Sequence, residues 1–124
     1  MKVLHLFPPN YRQINQAFNI RGKPVIFCYG DTIYNPSRID VPPCLIAHET
    51  VHSRQQGSDP DGWWRRYIDD LEFRLREEVE AHRAEYEHLG QTQKHLDDIA
   101  RRLSSQIYGR LVTFETARLL VARS

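Results

Sequence analysis

The sequence predicts a mainly helical α+β fold, and three observations carry that expectation. The character of the chain changes near residue 42, with proline and β-forming residues before it and helical periodicity after it. An apolar and aromatic run, Val25 to Tyr29, precedes Gly30-Asp31 and then Thr32 to Tyr34, the pattern of two short strands joined by a tight turn. No Gly or Pro interrupts Trp63 to Leu89, the span expected of a long helix.

Taken in order, Tyr11 to Phe18 reads as a short helix ahead of the hairpin. Asp40 can cap the next helix, Pro42 and Pro43 suit its first turn, and CLIAHETVHSRQQ has no breaker before Gly57. Ser58 to Gly62 is expected to be a turn. On the long helix, Ile68, Leu71, Leu75, Val79, His82, Tyr86 and Leu89 recur at three and four, and Gly90 ends it. Thr92 to Tyr108 follows with Leu96, Ile99, Leu103 and Ile107 on one face. Thr113 then caps a final helix carrying Phe114, Ala117, Leu120 and Val121.

A chain of 124 residues suits one domain, residues 1–124, and buries roughly two-thirds of the surface its unfolded form exposes. Lys+Arg 17 against Asp+Glu 16, interspersed, gives no single-sign block to recommend nucleic acid or an anionic membrane as partner. No stretch has transmembrane length, and the apolar run in MKVLHLFPPNYR is too short for a secretory signal, so a cytoplasmic protein is expected. Cys28 and Cys44 lack CxxC spacing and read as buried thiols.

The chemistry enters at His48-Glu49-Thr50-Val51-His52, an HExxH. Residues four apart lie one turn above each other, so both imidazoles can face one ion, with Glu49 beside them to hold a water. Two solvated histidines on a surface helix are the plainer alternative. Against it, Leu45, Ile46, Ala47 and Val51 surround the pair and imply burial, where His and Glu without a partner would be costly. A hydrolytic zinc site needs a third protein ligand and one open position. Asp59 or Asp61 would require a sharp reversal of the chain. Glu77, Glu78 and Glu80 compete on the long helix, and helical phase puts Glu78 on the inward face, leaving Glu77 and Glu80 nearer the polar flank.

HETVH followed on a second helix by Glu78-x-Glu80-Ala81 resembles the gluzincin clan of zinc metallopeptidases, whose best-known member is thermolysin, and its minimal bacterial and phage forms. The metzincin extension is absent, since Gln55 and Ser58 stand where Gly and His would be required. The resemblance implies Zn²⁺ held by His48, His52 and Glu78, with Glu49 as general base in peptide hydrolysis. An alignment that sets the ligand glutamate before a small residue would choose Glu80 with Ala81. In the clan an Asp or Asn four residues after the ligand glutamate often supports a ligand histidine; His82 stands there instead. His82 and Tyr86, or Tyr34 from the sheet, are the expected oxyanion donors. The resemblance also implies that an edge strand, Thr32 to Tyr34 or its partner, binds extended substrate.

The final stretch, SSQIYGRLVTFETARLLVA, resembles short phage-associated proteins. A non-catalytic protein in which zinc only pins the HExxH helix to the long helix is the alternative function. Trp63-Trp64 is expected to pack a helix end on the core, and Arg74, Arg76, Arg83, Arg101 and Arg102 to form a solvated, ion-paired face.

Overall fold

In the computed structural model, which describes residues 1–105 and 112–122, the α+β architecture is as expected. The elements are β1 (Lys2–Leu4), α1 (Tyr11–Phe18), β2 (Phe27–Tyr29), β3 (Thr32–Tyr34), α2 (Pro43–Gln56), α3 (Pro60–Asp69), α4 (Leu71–His88), α5 (Gln93–Leu103) and α6 (Phe114–Ala122). The hairpin forms with Cys28 opposite Ile33. A third strand, β1, was not expected; it pairs parallel to β3 with Val3 opposite Ile33. The strand order β1-β3-β2 therefore corrects the substrate-edge expectation for Thr32 to Tyr34, which is the central strand. Its partner β2 is an edge, but the Cys28 carbonyl accepts from Gln56 Nε2 at 2.8 Å and Trp64 Nε1 at 3.0 Å. Gly30 N–H donates to Gln56 Oε1 at 2.7 Å, so the end of α2 is fastened to the hairpin.

The helices differ from expectation at three boundaries. Asp40 does not cap α2, which begins at Pro43 after an extended Pro42 and has no side-chain cap; Gly57, at φ 56°, ends it as foreseen. Residues 58–62 are not merely a turn. Asp59 accepts from Gly62 N–H at 3.0 Å, Pro60 fills the first turn, and α3 starts there. The long helix is broken at Asp70, whose backbone is extended (φ −119°, ψ 106°) and whose carboxylate accepts from Phe73 N–H at 3.0 Å. An aspartate at a helix start satisfies an orphan donor as well as another helical turn would, so the chain breaks without Gly or Pro. Helix α5 ends at Leu103; the expected continuation towards Tyr108 falls partly on residues 106–111, outside the described ones. Thr113 caps α6 by accepting from Thr116 N–H.

Two apolar clusters result. One joins α1, the hairpin and α3 through Ile14, Phe27, Trp63, Trp64 and Tyr67, as expected for the tryptophan pair. The other joins α4, α5 and α6 through Val79, Ile99, Leu103 and Val121. Between them α2 packs on α4 across a seam of buried polar side chains: His48, Glu49, His52, Glu78, His82 and Glu85. No helix among the described residues is long and apolar enough to cross a membrane.

Candidate metal centre

Helix α2 buries both histidines as fully as its best-buried aliphatic residue, Val51, which is 5% exposed. His48 and His52 are 4% and 6% exposed, whereas Ile46 on the same helix is 36% exposed. The pairing of α2 with α4 is thus made largely through polar groups, which must satisfy one another. Glu78, the carboxylate favoured by helical phase, is 2% exposed and faces both imidazoles: its Oε1 is 3.6 Å from His48 Nε2 and in contact with His52 Nε2. One ligand atom from each of the three residues lies within 4.8 Å of the other two. Glu77 and Glu80 are elsewhere, with Glu77 accepting from Trp63 Nε1 and Glu80 from Gln55 Nε2. Asp59 caps α3 and Asp61 accepts from the Tyr29 hydroxyl, so neither turn aspartate joins the centre.

Hydrogen bonds on the far side of each ring define which nitrogen faces inward. His48 Nδ1 is 3.0 Å from Glu85 Oε1. His52 Nδ1 is 2.8 Å from Gln55 Oε1, and the Gln55 amide nitrogen is oriented by the Glu77 carbonyl at 3.0 Å and Glu80 Oε1 at 2.9 Å. Both Nδ1 partners are acceptors, so both Nδ1 atoms carry a proton, and the Nε2 atoms facing Glu78 are the ones left to take a metal ion or a second proton. Glu78 Oε1 is buried and receives no hydrogen bond of acceptable geometry from the described residues. Two imidazole nitrogens and a carboxylate oxygen converging in a buried space form a site that a metal ion, in place of protons on the rings, would satisfy.

The electrostatics agree. Burial opposes charge on His48, but contact with Glu78 and Glu85 outweighs it and holds the pKa up at about 10. The same contest raises His52, with Glu78 as the decisive partner. Burial would raise Glu78, yet the two imidazoles hold it well below the usual carboxylate range. Proton and cation therefore compete for the same nitrogens. Burial pushes Glu49 up, with His48 and His52 pulling against it.

Glu85 was not singled out in the sequence. It lies seven residues beyond Glu78 and holds the outer nitrogen of His48. His82 stands beside it, fully buried, with Nδ1 3.3 Å from the same Glu85 oxygen and its ring 4.5 Å from that of His48. His48, His82 and Glu85 form a second group of potential ligands. Burial and the neighbouring His48 press the His82 pKa down to about 4, so it is a neutral imidazole near pH 7. Tyr86, the other expected oxyanion donor, gives its hydroxyl proton to the Gln91 carbonyl at 3.0 Å. Tyr34 packs on the aromatic cluster.

The expected solvated, ion-paired arginine face is corrected at Arg74 and at Arg83, whose Nε donates to the Leu120 carbonyl at 2.8 Å. Arg74 is buried, donates to the Tyr67 and Ile68 carbonyls, and lies 4.8 Å from the Phe18 ring centre. Arg102 is exposed and ion-paired as expected, with the buried Glu85 as its partner. Arg101 does pair with exposed Asp98, at 2.8 Å.

A cavity of ≈ 100 Å³ opens on His48, Glu49, His52 and Glu78. Its other walls are mostly apolar, from Phe18 of α1, Ile26 and Phe27 of the hairpin arm, and Trp63, Trp64 and Tyr67 of α3. No family model, curated protein or solved structure matches the chain.

Proposed function

We propose that the protein is a zinc-dependent peptidase, a minimal relative of the gluzincins in which His48, His52 and Glu78 hold Zn²⁺. The observation that carries this reading is the convergence of two imidazole nitrogens and one carboxylate oxygen beside Glu49, with the buried Glu78 oxygen receiving no well-formed hydrogen bond from the described residues. Two nitrogens and one oxygen are a donor set that suits zinc and leaves a position for water or substrate. When bound, the metal would polarise the scissile carbonyl and acidify the attacking water. Glu49 would accept the water proton and deliver it to the departing amine. Its raised pKa makes it the better base. The apolar cavity in front of Glu49 would hold a bulky apolar side chain next to the scissile bond.

Zinc content and peptide hydrolysis, measured together, test the reading. The expected result is about one zinc per chain, with Glu49→Gln retaining the metal and losing at least about 100-fold in hydrolysis of unfolded protein substrates. Undiminished hydrolysis in Glu49→Gln would exclude the mechanism, and failure of the wild-type chain to take up zinc would exclude the site.

A second reading, zinc as a structural pin between α2 and α4, is favoured by the placement of Tyr86 and His82, which do not line the cavity. Under it Glu49→Gln is silent and His48→Ala lowers the melting temperature steeply.

A further inference from the structure

We infer that Glu85 and Arg102 form a positioning pair through which docking of α5 on α4 and metal binding at His48 strengthen each other. The inference rests on the metal reading above and extends it to a part of the fold that contributes no ligand. Glu85 is 2% exposed, and its two oxygens have separate duties. Oε1 accepts from His48 Nδ1 at 3.0 Å and is 3.3 Å from His82 Nδ1, while Oε2 takes the Arg102 guanidinium. Arg102 comes from α5 and its side chain is 44% exposed, so the pair joins the protein surface to a ligand ring in two contacts.

Removing either contact has a definite physical effect. A buried carboxylate without its guanidinium partner loses the contact that holds its plane in place. His48 then has no fixed acceptor at Nδ1, and its Nε2 is no longer held towards Glu78. The guanidinium on Glu85 Oε2 also disfavours a second cation on the same carboxylate beside His48 and His82. Coupling of this kind is reciprocal: whatever factor α5 docking adds to metal affinity, metal binding must add to α5 docking.

The test uses the full chain, a chromophoric chelator to measure zinc affinity, and hydrogen exchange of the α5 amides with and without zinc. Glu85→Gln is expected to weaken zinc binding about 10- to 100-fold and Arg102→Ala about 10-fold, with Arg102→Lys recovering much of the loss. Zinc should slow exchange across residues 93–103 in the wild-type chain and do so much less in both weakened variants. Arg101→Ala, which breaks an exposed pair on the same helix, is the control; a general loosening of α5 would move it as far as Arg102→Ala. Should Glu85→Gln fail to fold, Arg102→Ala decides alone. Zinc affinity within twofold of wild type in Arg102→Ala, or equal loss in Arg101→Ala, overturns the inference and leaves the metal site standing. No zinc uptake by the wild-type chain overturns both.

Discussion

Each inward-facing imidazole is held at its outer nitrogen by a side-chain oxygen, and this is where the site departs most from what a motif can convey. His48 and His52 were legible from their spacing, and Glu78 from its phase on the apolar face. Gln55 and Glu85 were not. Gln55 reads as one polar residue near a helix end, and its role appears only when α4 brings the Glu77 carbonyl and Glu80 within reach of its amide. Glu85 is one carboxylate among several on α4, separated from His48 by 37 positions. The only available signal was its spacing of seven from Glu78, which returns to the same helix face after two turns. Gln55→Ala should therefore weaken zinc binding by about 10-fold with little change in fold, as read by chelator competition and circular dichroism. Unchanged affinity would mean that packing alone orients His52.

Among the elements, the hairpin, α2 and α6 were legible because their signals are local: Gly30-Asp31 between β-formers, a pair of prolines ahead of an uninterrupted run, Thr113 ahead of Phe114. Strand β1 was not legible, since three residues carry no period and become a strand only by pairing with β3. The break at Asp70 escaped because a capping aspartate inside a continuous helical pattern looks like any other polar residue. Asp70→Ala removes that cap, and a loss of about 1 kcal/mol is expected in urea denaturation, with zinc affinity unchanged. No loss would indicate that packing of Trp63 and Phe73 sets the bend.

For the whole molecule, the polar seam makes stability depend on pH in opposite senses on its two sides. His48 has a folded pKa of about 10, above its ordinary 6.5, so the folded chain keeps a proton that the unfolded chain releases. Its contribution is complete below about pH 6.5 and is lost as pH rises towards 10. His82 has a folded pKa of about 4, so from pH 6.5 down to 4 the unfolded chain binds a proton that the folded chain refuses, and stability falls. Glu78 and Glu85, both depressed, lose their contributions further into acid. Metal-free protein should accordingly show a maximum urea midpoint near pH 6.5, falling on either side. Zinc affinity should climb from pH 6.5 upward as the nitrogens shed their protons. A midpoint that stays level from pH 5 to 9 would contradict this charge assignment.

The break at Asp70 also separates two geometric demands. In an unbroken rod each added residue turns everything downstream by about 100°, so the azimuth of the tryptophans would dictate that of Glu78 and Glu85. With an extended residue between them, α4 can roll until its carboxylates meet α2 while α3 keeps its aromatic face on the hairpin. One residue inserted at Asp70 should then be absorbed by the joint, leaving zinc binding near wild type. The same insertion between Glu78 and Glu85 would rotate one carboxylate away from His48 and abolish tight binding, so the tolerance of the two positions measures how far the joint uncouples the halves.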